Sequence, residues 1–97
     1  MTPKELFNQA YNLIKDPARW TQKAYARDAN DIGVSSHSIY TVKWCSLGVL
    51  MKFGGDDSVT KALEYTINES LEDYNDTHTH AEVMAMWEET GEREGWL

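Results

Sequence analysis

Cys45 is the single cysteine in a chain of 97 residues, and two histidines, His78 and His80, stand within reach of a shared chemistry with it. An imidazole beside a thiol would make a Cys/His hydrolase or transferase, the ring taking the thiol proton. A thiol at a helix start has its pKa lowered by the dipole. Cys45, however, is expected about two turns into a helix, where that field has faded. Trp44 and Leu47 flank it, and a buried structural thiol is the ordinary outcome for such a residue.

Asp76-Thr77-His78-Thr79-His80 offers a carboxylate and two imidazoles in five residues. These are zinc-ligand types, with Cys45 as a fourth. No second ligand pair at fixed spacing accompanies them. Side chains two apart at a helix start also point in different directions. The structural alternative is that Asp76, Thr77 or Thr79 satisfies free N–H groups there. Asn75-Asp76 invites a catalytic-carboxylate reading, yet its acidic neighbours, Glu72 and Asp73, lie in a solvated run, and turn chemistry explains the pair. Gly54-Gly55 lacks the Lys-Ser/Thr that a phosphate-cradling loop carries. The expectation is therefore no catalytic residue, no metal ligand and no cofactor.

Charge is the more distinctive signal. Residues 1–55 hold seven Lys/Arg against four acids, a net of +3, whereas residues 56–97 hold twelve acids against Lys61 and Arg93, a net of −10. The overall −7 argues against direct nucleic-acid binding, whose strength comes from neutralising phosphates. No stretch approaches the roughly 20 apolar residues of a membrane span. The first sixteen residues lack a signal peptide's basic start and apolar run, and a lone Cys fits a reducing compartment. These features predict a cytoplasmic protein. A hydrophobic content of 41% with four Trp suffices for one core without disulfides, so one domain over 1–97 is expected.

The positioning elements follow from periodicity. Thr2-Pro3-Lys4-Glu5 is a capping box with Pro at the first helical position. Leu6, Phe7, Ala10, Leu13 and Ile14 then form one stripe, closed by Asp16-Pro17. Residues 20–36 break that period and predict a short β-hairpin or extended arm, with Asn30-Asp31-Ile32-Gly33 as the turn. A second helix is predicted from Ser38 to Phe53, ending at Gly54-Gly55. Its apolar residues spread around all sides, which makes it the central buried helix. Gly48 in its middle costs about 1 kcal/mol relative to Ala, so another element should approach closely there. Asp56-Asp57-Ser58 opens a third helix with a stripe from Val59 to Tyr74. Tyr74-Asn75-Asp76-Thr77 reads as a turn. Thr79-His80-Ala81-Glu82 is a second capping box, opening a fourth helix that ends at Gly91. The fold class is mainly α (α+β): about four helices around a central one, with the arm at 20–36.

Two blocks carry a resemblance. Trp44-Cys45-Ser46-Leu47-Gly48, followed by Tyr74-Asn75-Asp76, Thr79 and Glu82-Val83, resembles a family of small proteins of unknown function common in actinobacteria and their phages. Trp20-Thr21-Gln22 and Ala26-Arg27-Asp28 in the arm are similar as well. The likeness covers roughly residues 5–90, with Val49 where the pattern more often has Ala. It implies the same architecture and a bacterial or phage setting, and supplies no catalytic residues.

Function is read first as a non-enzymatic interaction protein that docks its acidic helices on a basic surface, such as that of a nucleic-acid-binding protein. Glu64, Tyr65, Asn68, Glu72, Glu88 and Glu89 are the expected contacts. Electrostatic steering would speed such docking and make it salt-sensitive. The alternative is a small Cys/His enzyme or metal protein built on Cys45 with His78 or His80. A third reading is a homodimer joined by exposed aromatics such as Tyr25, Tyr40 or Trp96. Against all three stands the plain role of charge in keeping two amphipathic helices soluble.

Overall fold

A computed structural model describes residues 1–97. Helix α1, Pro3–Ile14, starts as the sequence dictates: Thr2 Oγ1 accepts from Glu5 N, and the Glu5 carboxylate accepts from Thr2 N. Its stripe of Leu6, Phe7, Ala10 and Ile14 is fully buried. A 3₁₀ turn at Pro17–Arg19, capped by Asp16, turns the chain into the arm.

The arm holds strands β1 (Ala26–Arg27) and β2 (Gly33–Val34), joined by the expected turn, in which Asp31 takes a left-handed φ of 64°. A third strand, β3 (Lys43–Trp44), pairs with the other side of β1, giving the antiparallel order β2-β1-β3. Ala26 faces Val34 on one side and Trp44 on the other. This third strand corrects the predicted Ser38–Phe53 helix: α2 spans only Ser46–Phe53. The reason lies in Ser35 and Ser38, whose hydroxyls accept from His37 N and Tyr40 N. Such local bonds compete with helix formation. The all-round apolar pattern thus came from a loop and a strand added to a short helix.

Helix α2 is still central, touching α1, β3 and the next two helices. Gly48 meets the expected close approach: a Cβ there would sit 1.8 Å from the Tyr25 carbonyl oxygen. Helix α3 (Ser58–Ile67) ends at Asn68, in the left-handed conformation with φ 52°. The stripe expected to run on to Tyr74 therefore belongs to two helices. Ser70 caps α4 (Leu71–Thr77), so the residues read as a turn, 74–77, are helical. Thr79 and Glu82 form the predicted capping box of α5 (His80–Glu94). That helix passes through Gly91 and ends at Gly95. Gly91 is buried instead against Phe7 and Leu97. The core joins all five helices through Phe7 of α1, Val49 of α2, Leu63 of α3, Leu71 of α4 and Trp87 of α5.

Candidate interaction surface

The acidic half forms an ordered face across α3, α4 and α5. Ion pairs within it engage only Asp57 with Lys61 and Glu94 with Arg93, leaving ten of its twelve carboxylates without a cation. Between the three helices lies an open depression of about 370 Å³, lined by Thr66, Ile67, Tyr74, Glu82, Ala85, Met86 and Glu89. Its floor is apolar and two carboxylates stand on its rim. Helical spacing explains the set: Glu82, Ala85, Met86 and Glu89 recur at intervals of three and four and share one face of α5.

The electrostatics of this face follow from its neighbours. Glu82 is held below the usual carboxylate range because Thr79 donates to it from its backbone N–H, with the Thr79 hydroxyl adding to the effect. It is therefore fully charged at neutral pH. The Tyr74 phenol is pushed up, first by burial and then by the nearby charges of Glu82, Glu69 and Glu89. It remains a neutral hydroxyl set among carboxylates. Tyr74 also stacks on His78, with ring centroids 3.7 Å apart. His78 also lines a polar depression of about 380 Å³, together with residues of the arm, others of the α4–α5 junction and again Glu82.

The expected contact residues do not all share this face in the same way. Glu89 stands on the rim of the first depression. Glu72 is exposed in the first turn of α4. Tyr65 is 78% exposed, with the Arg93 guanidinium 5.1 Å from its ring centre. Asn68 is the exposed left-handed residue between α3 and α4. Glu64 has an internal task, accepting from Leu71 N at 2.8 Å and so holding the start of α4. Glu88 points toward α1, where the Tyr11 hydroxyl donates to it at 2.6 Å. Glu82, Glu69 and Tyr74 lie outside the expected contact set. Glu82 and Glu69 were legible as members of the acidic half, Glu82 also as a cap, and Tyr74 as the end of an apolar stripe and the start of a turn.

The residues of the Cys/His reading have other partners. Cys45 caps α2, its sulfur accepting from Gly48 N at 3.2 Å. It is 2% exposed, and burial pushes its thiol pKa up, outweighing the backbone hydrogen bonds that lower it. The predicted position two turns into a helix is thus corrected to the helix start itself. His80 Nε2 donates to the Ile14 carbonyl at 2.8 Å, and the ring packs edge-on to Trp20. His78 Nδ1 donates to the Tyr74 carbonyl. No group of three or more His, Cys, Asp or Glu side chains is arranged to hold a metal ion.

Asn75 is the buried polar centre of the molecule. Its Oδ1 accepts from Trp20 Nε1 at 2.9 Å, Ser46 N at 3.0 Å and Ser46 Oγ at 2.8 Å. Its Nδ2 donates to the Thr21 carbonyl. The Ser46 hydroxyl in turn accepts from Trp87 Nε1. Gln22 donates to the carbonyls of Asn75 and His78, and Lys23 N donates to Asp76. Trp20-Thr21-Gln22, Ser46 and Asn75-Asp76 therefore meet at one point. There they latch the arm to α4 and to the start of α2, a structural use of residues that invited a catalytic reading.

Together these features define a small α+β protein with an acidic, partly apolar helical face and a polar latch at its centre. A model of a family of unknown function, DUF6197, matches residues 1–93, and the chain belongs to that family. No curated protein matches it, and neither does any solved structure. No helix is long and apolar enough to cross a membrane.

Proposed function

We propose that this chain is a non-enzymatic binding protein of the cytoplasm, encoded by a bacterium or its phage. Its acidic face across α3, α4 and α5 docks on a basic surface of another protein. The observation that carries the reading is the depression between those helices: an apolar floor of Ile67, Ala85 and Met86 beneath Glu82 and Glu89, neither of which has a cation partner. An apolar centre with a charged rim is the layout of a protein contact. A Lys or Arg stem would cover the floor while its head meets the rim. A nucleic-acid-binding protein is one class that presents such a basic surface. The chain's own net charge of −7 disfavours nucleic acid itself as the ligand.

The test is a paired capture from lysate of the source cells, with the wild-type chain and with Glu72→Lys/Glu89→Lys as baits. Both positions are exposed on their helices, and neither side chain is in an ion pair. The expected result is a basic protein bound by the wild type and lost by the variant, with an association rate that falls as salt rises. Equal retention of every bound protein by the two baits would overturn the proposal.

A further inference from the structure

We infer that the partner of the acidic face presents a basic amphipathic helix, which lies along α5 in the place where α3 stops short. The inference rests on the acidic-face proposal and names the form its partner takes. Three contacts fix the course of α3. Arg93 donates to the Ala62 carbonyl and to Thr66 Oγ1, and the Thr66 hydroxyl bonds that of Thr90 at 2.6 Å. One residue further along α3, Ile67 shares the depression with Met86 and Glu82. Residues rising along α3 therefore meet residues falling along α5, so the two helices are antiparallel. Carried on, α3 would cover α5 back to Glu82. Asn68, with its left-handed φ of 52°, ends it at Ile67, and α4 contributes only Tyr74 to the depression. The depression is thus the stretch of α5 left without a helix beside it.

The uncovered stretch has a helix's spacing. Glu82 and Glu89 stand two turns apart on one face of α5, about 10.5 Å along its axis, with Ala85 and Met86 between them. A helix laid against this face meets it with side chains at i, i+3, i+4 and i+7. Lys or Arg at i and i+7 reaches the two carboxylates, and apolar residues at i+3 and i+4 cover Ile67, Ala85 and Met86. The depression of about 370 Å³ equals the volume of roughly a dozen water molecules, more than a single basic head displaces.

Charge decides what that helix carries. Glu69 joins Glu82 and Glu89 around the Tyr74 phenol, since all three charges act on it. Arg93 follows Glu89 by one turn of α5, the arrangement that favours an internal ion pair. It is held instead by Ala62, Thr66 and Glu94, and Glu89 forms no ion pair. No lysine or arginine lies between Lys61 and Arg93 in the chain, so α4 and the part of α5 before Arg93 supply no cation of their own. A neutral or acidic helix would bury these carboxylates unpaired, at a cost in desolvation. An unfolded basic segment could meet the charges, but it would pay ordering entropy to hold two cations and two apolar side chains on one face.

Fluorescence anisotropy with labelled synthetic peptides of about 15 residues, Ala-rich for helicity, tests this. The first carries Lys at i and i+7 and Leu at i+3 and i+4. The second moves the Leu to i+2 and i+5, on the opposite face. The third is the first with Pro at two of its interior Ala positions, which breaks the helix. The expected result is binding of the first, with the second and third at least about tenfold weaker. Ala85→Lys covers the floor with its stem and sets a cation between the two carboxylates, and should weaken the first peptide at least about tenfold. Glu72→Lys changes the net charge by more but lies outside the depression, and should weaken it no more than about threefold. Far-UV dichroism confirms the fold of each variant. No binding of the first peptide overturns the inference, as does equal binding of the first and either of the others. Equal losses in the two variants would assign the attraction to net charge alone and overturn it too. A basic protein captured in the lysate test while the peptides fail removes this inference and keeps the acidic-face proposal; failure of both tests removes both.

Discussion

Replacing Asn75 with Ala removes three accepted hydrogen bonds and two donated bonds, the longer of these to Asp76, at a fully buried site. Two donors lose their acceptor outright. Ser46 N is the first N–H of α2, where no intrahelical acceptor exists, and Trp20 Nε1 ties down the arm. Each orphaned buried group costs about 1–3 kcal/mol, and the small cavity left by the side chain adds to this. Asn75→Ala should therefore lose about 3–5 kcal/mol, a large part of the roughly 5–15 kcal/mol available to a domain. At this chain length the melting midpoint would fall by about 15 °C or more. Ser46→Ala should cost about 1–3 kcal/mol, chiefly by leaving the Trp87 indole without an acceptor. Because the two residues share a bond, the double variant should be more stable than the summed losses predict, by about 0.5–3 kcal/mol. Urea unfolding followed by tryptophan fluorescence measures all three. Asn75→Ala within about 1 kcal/mol of wild type, or strictly additive losses, would refute the latch.

Gly48→Ala would gain about 1 kcal/mol in a free helix; here the new methyl group strikes the Tyr25 carbonyl, so the variant should lose about 2 kcal/mol or more by overpacking, read as a lower urea midpoint. Tyr11 is pushed up to about 12, first by burial and then by its bond to Glu88. The folded state thus keeps a proton that the unfolded state releases near 10, and stability falls as pH rises between the two values. Alkaline difference absorbance should show a late-ionising component to which Tyr11 contributes beside Tyr74, reduced in Tyr11→Phe and shifted down in part in Glu88→Gln. Cys45, buried with its thiol pKa raised, should stay inert to a disulfide reagent until urea unfolds the chain; rapid modification of the native protein would contradict its place at the cap.

The amino-acid sequence alone determined some of the local starts and stops, those of α1 and the start of α5 most plainly. Thr2 with Glu5 and Thr79 with Glu82 form their capping boxes because the bonds lie within four residues, and nothing distant competes for them. The stripe of α1 and the exclusion of side chains at Gly48 were likewise legible, the latter because a glycine in mid-helix is costly unless something needs its space. The charge split was plain from composition. Tertiary structure decided the rest. Residues 38–45 carry helix-compatible apolar spacing, yet pairing with β1 and the Ser35 and Ser38 turns draw them into loop and strand. Asn68 breaks a continuous apolar stripe by one left-handed residue, which periodicity does not register. Asn75 looked like a turn residue because its partners, Trp20, Thr21 and Ser46, are far away along the chain. The acidic face itself was visible in the sequence. Its apolar depression was not, since Ile67, Tyr74 and Met86 come from three helices that only packing brings together. The sequence marks where charge and the locally capped helix ends fall, while the sharing of space between distant segments is set by the packed fold.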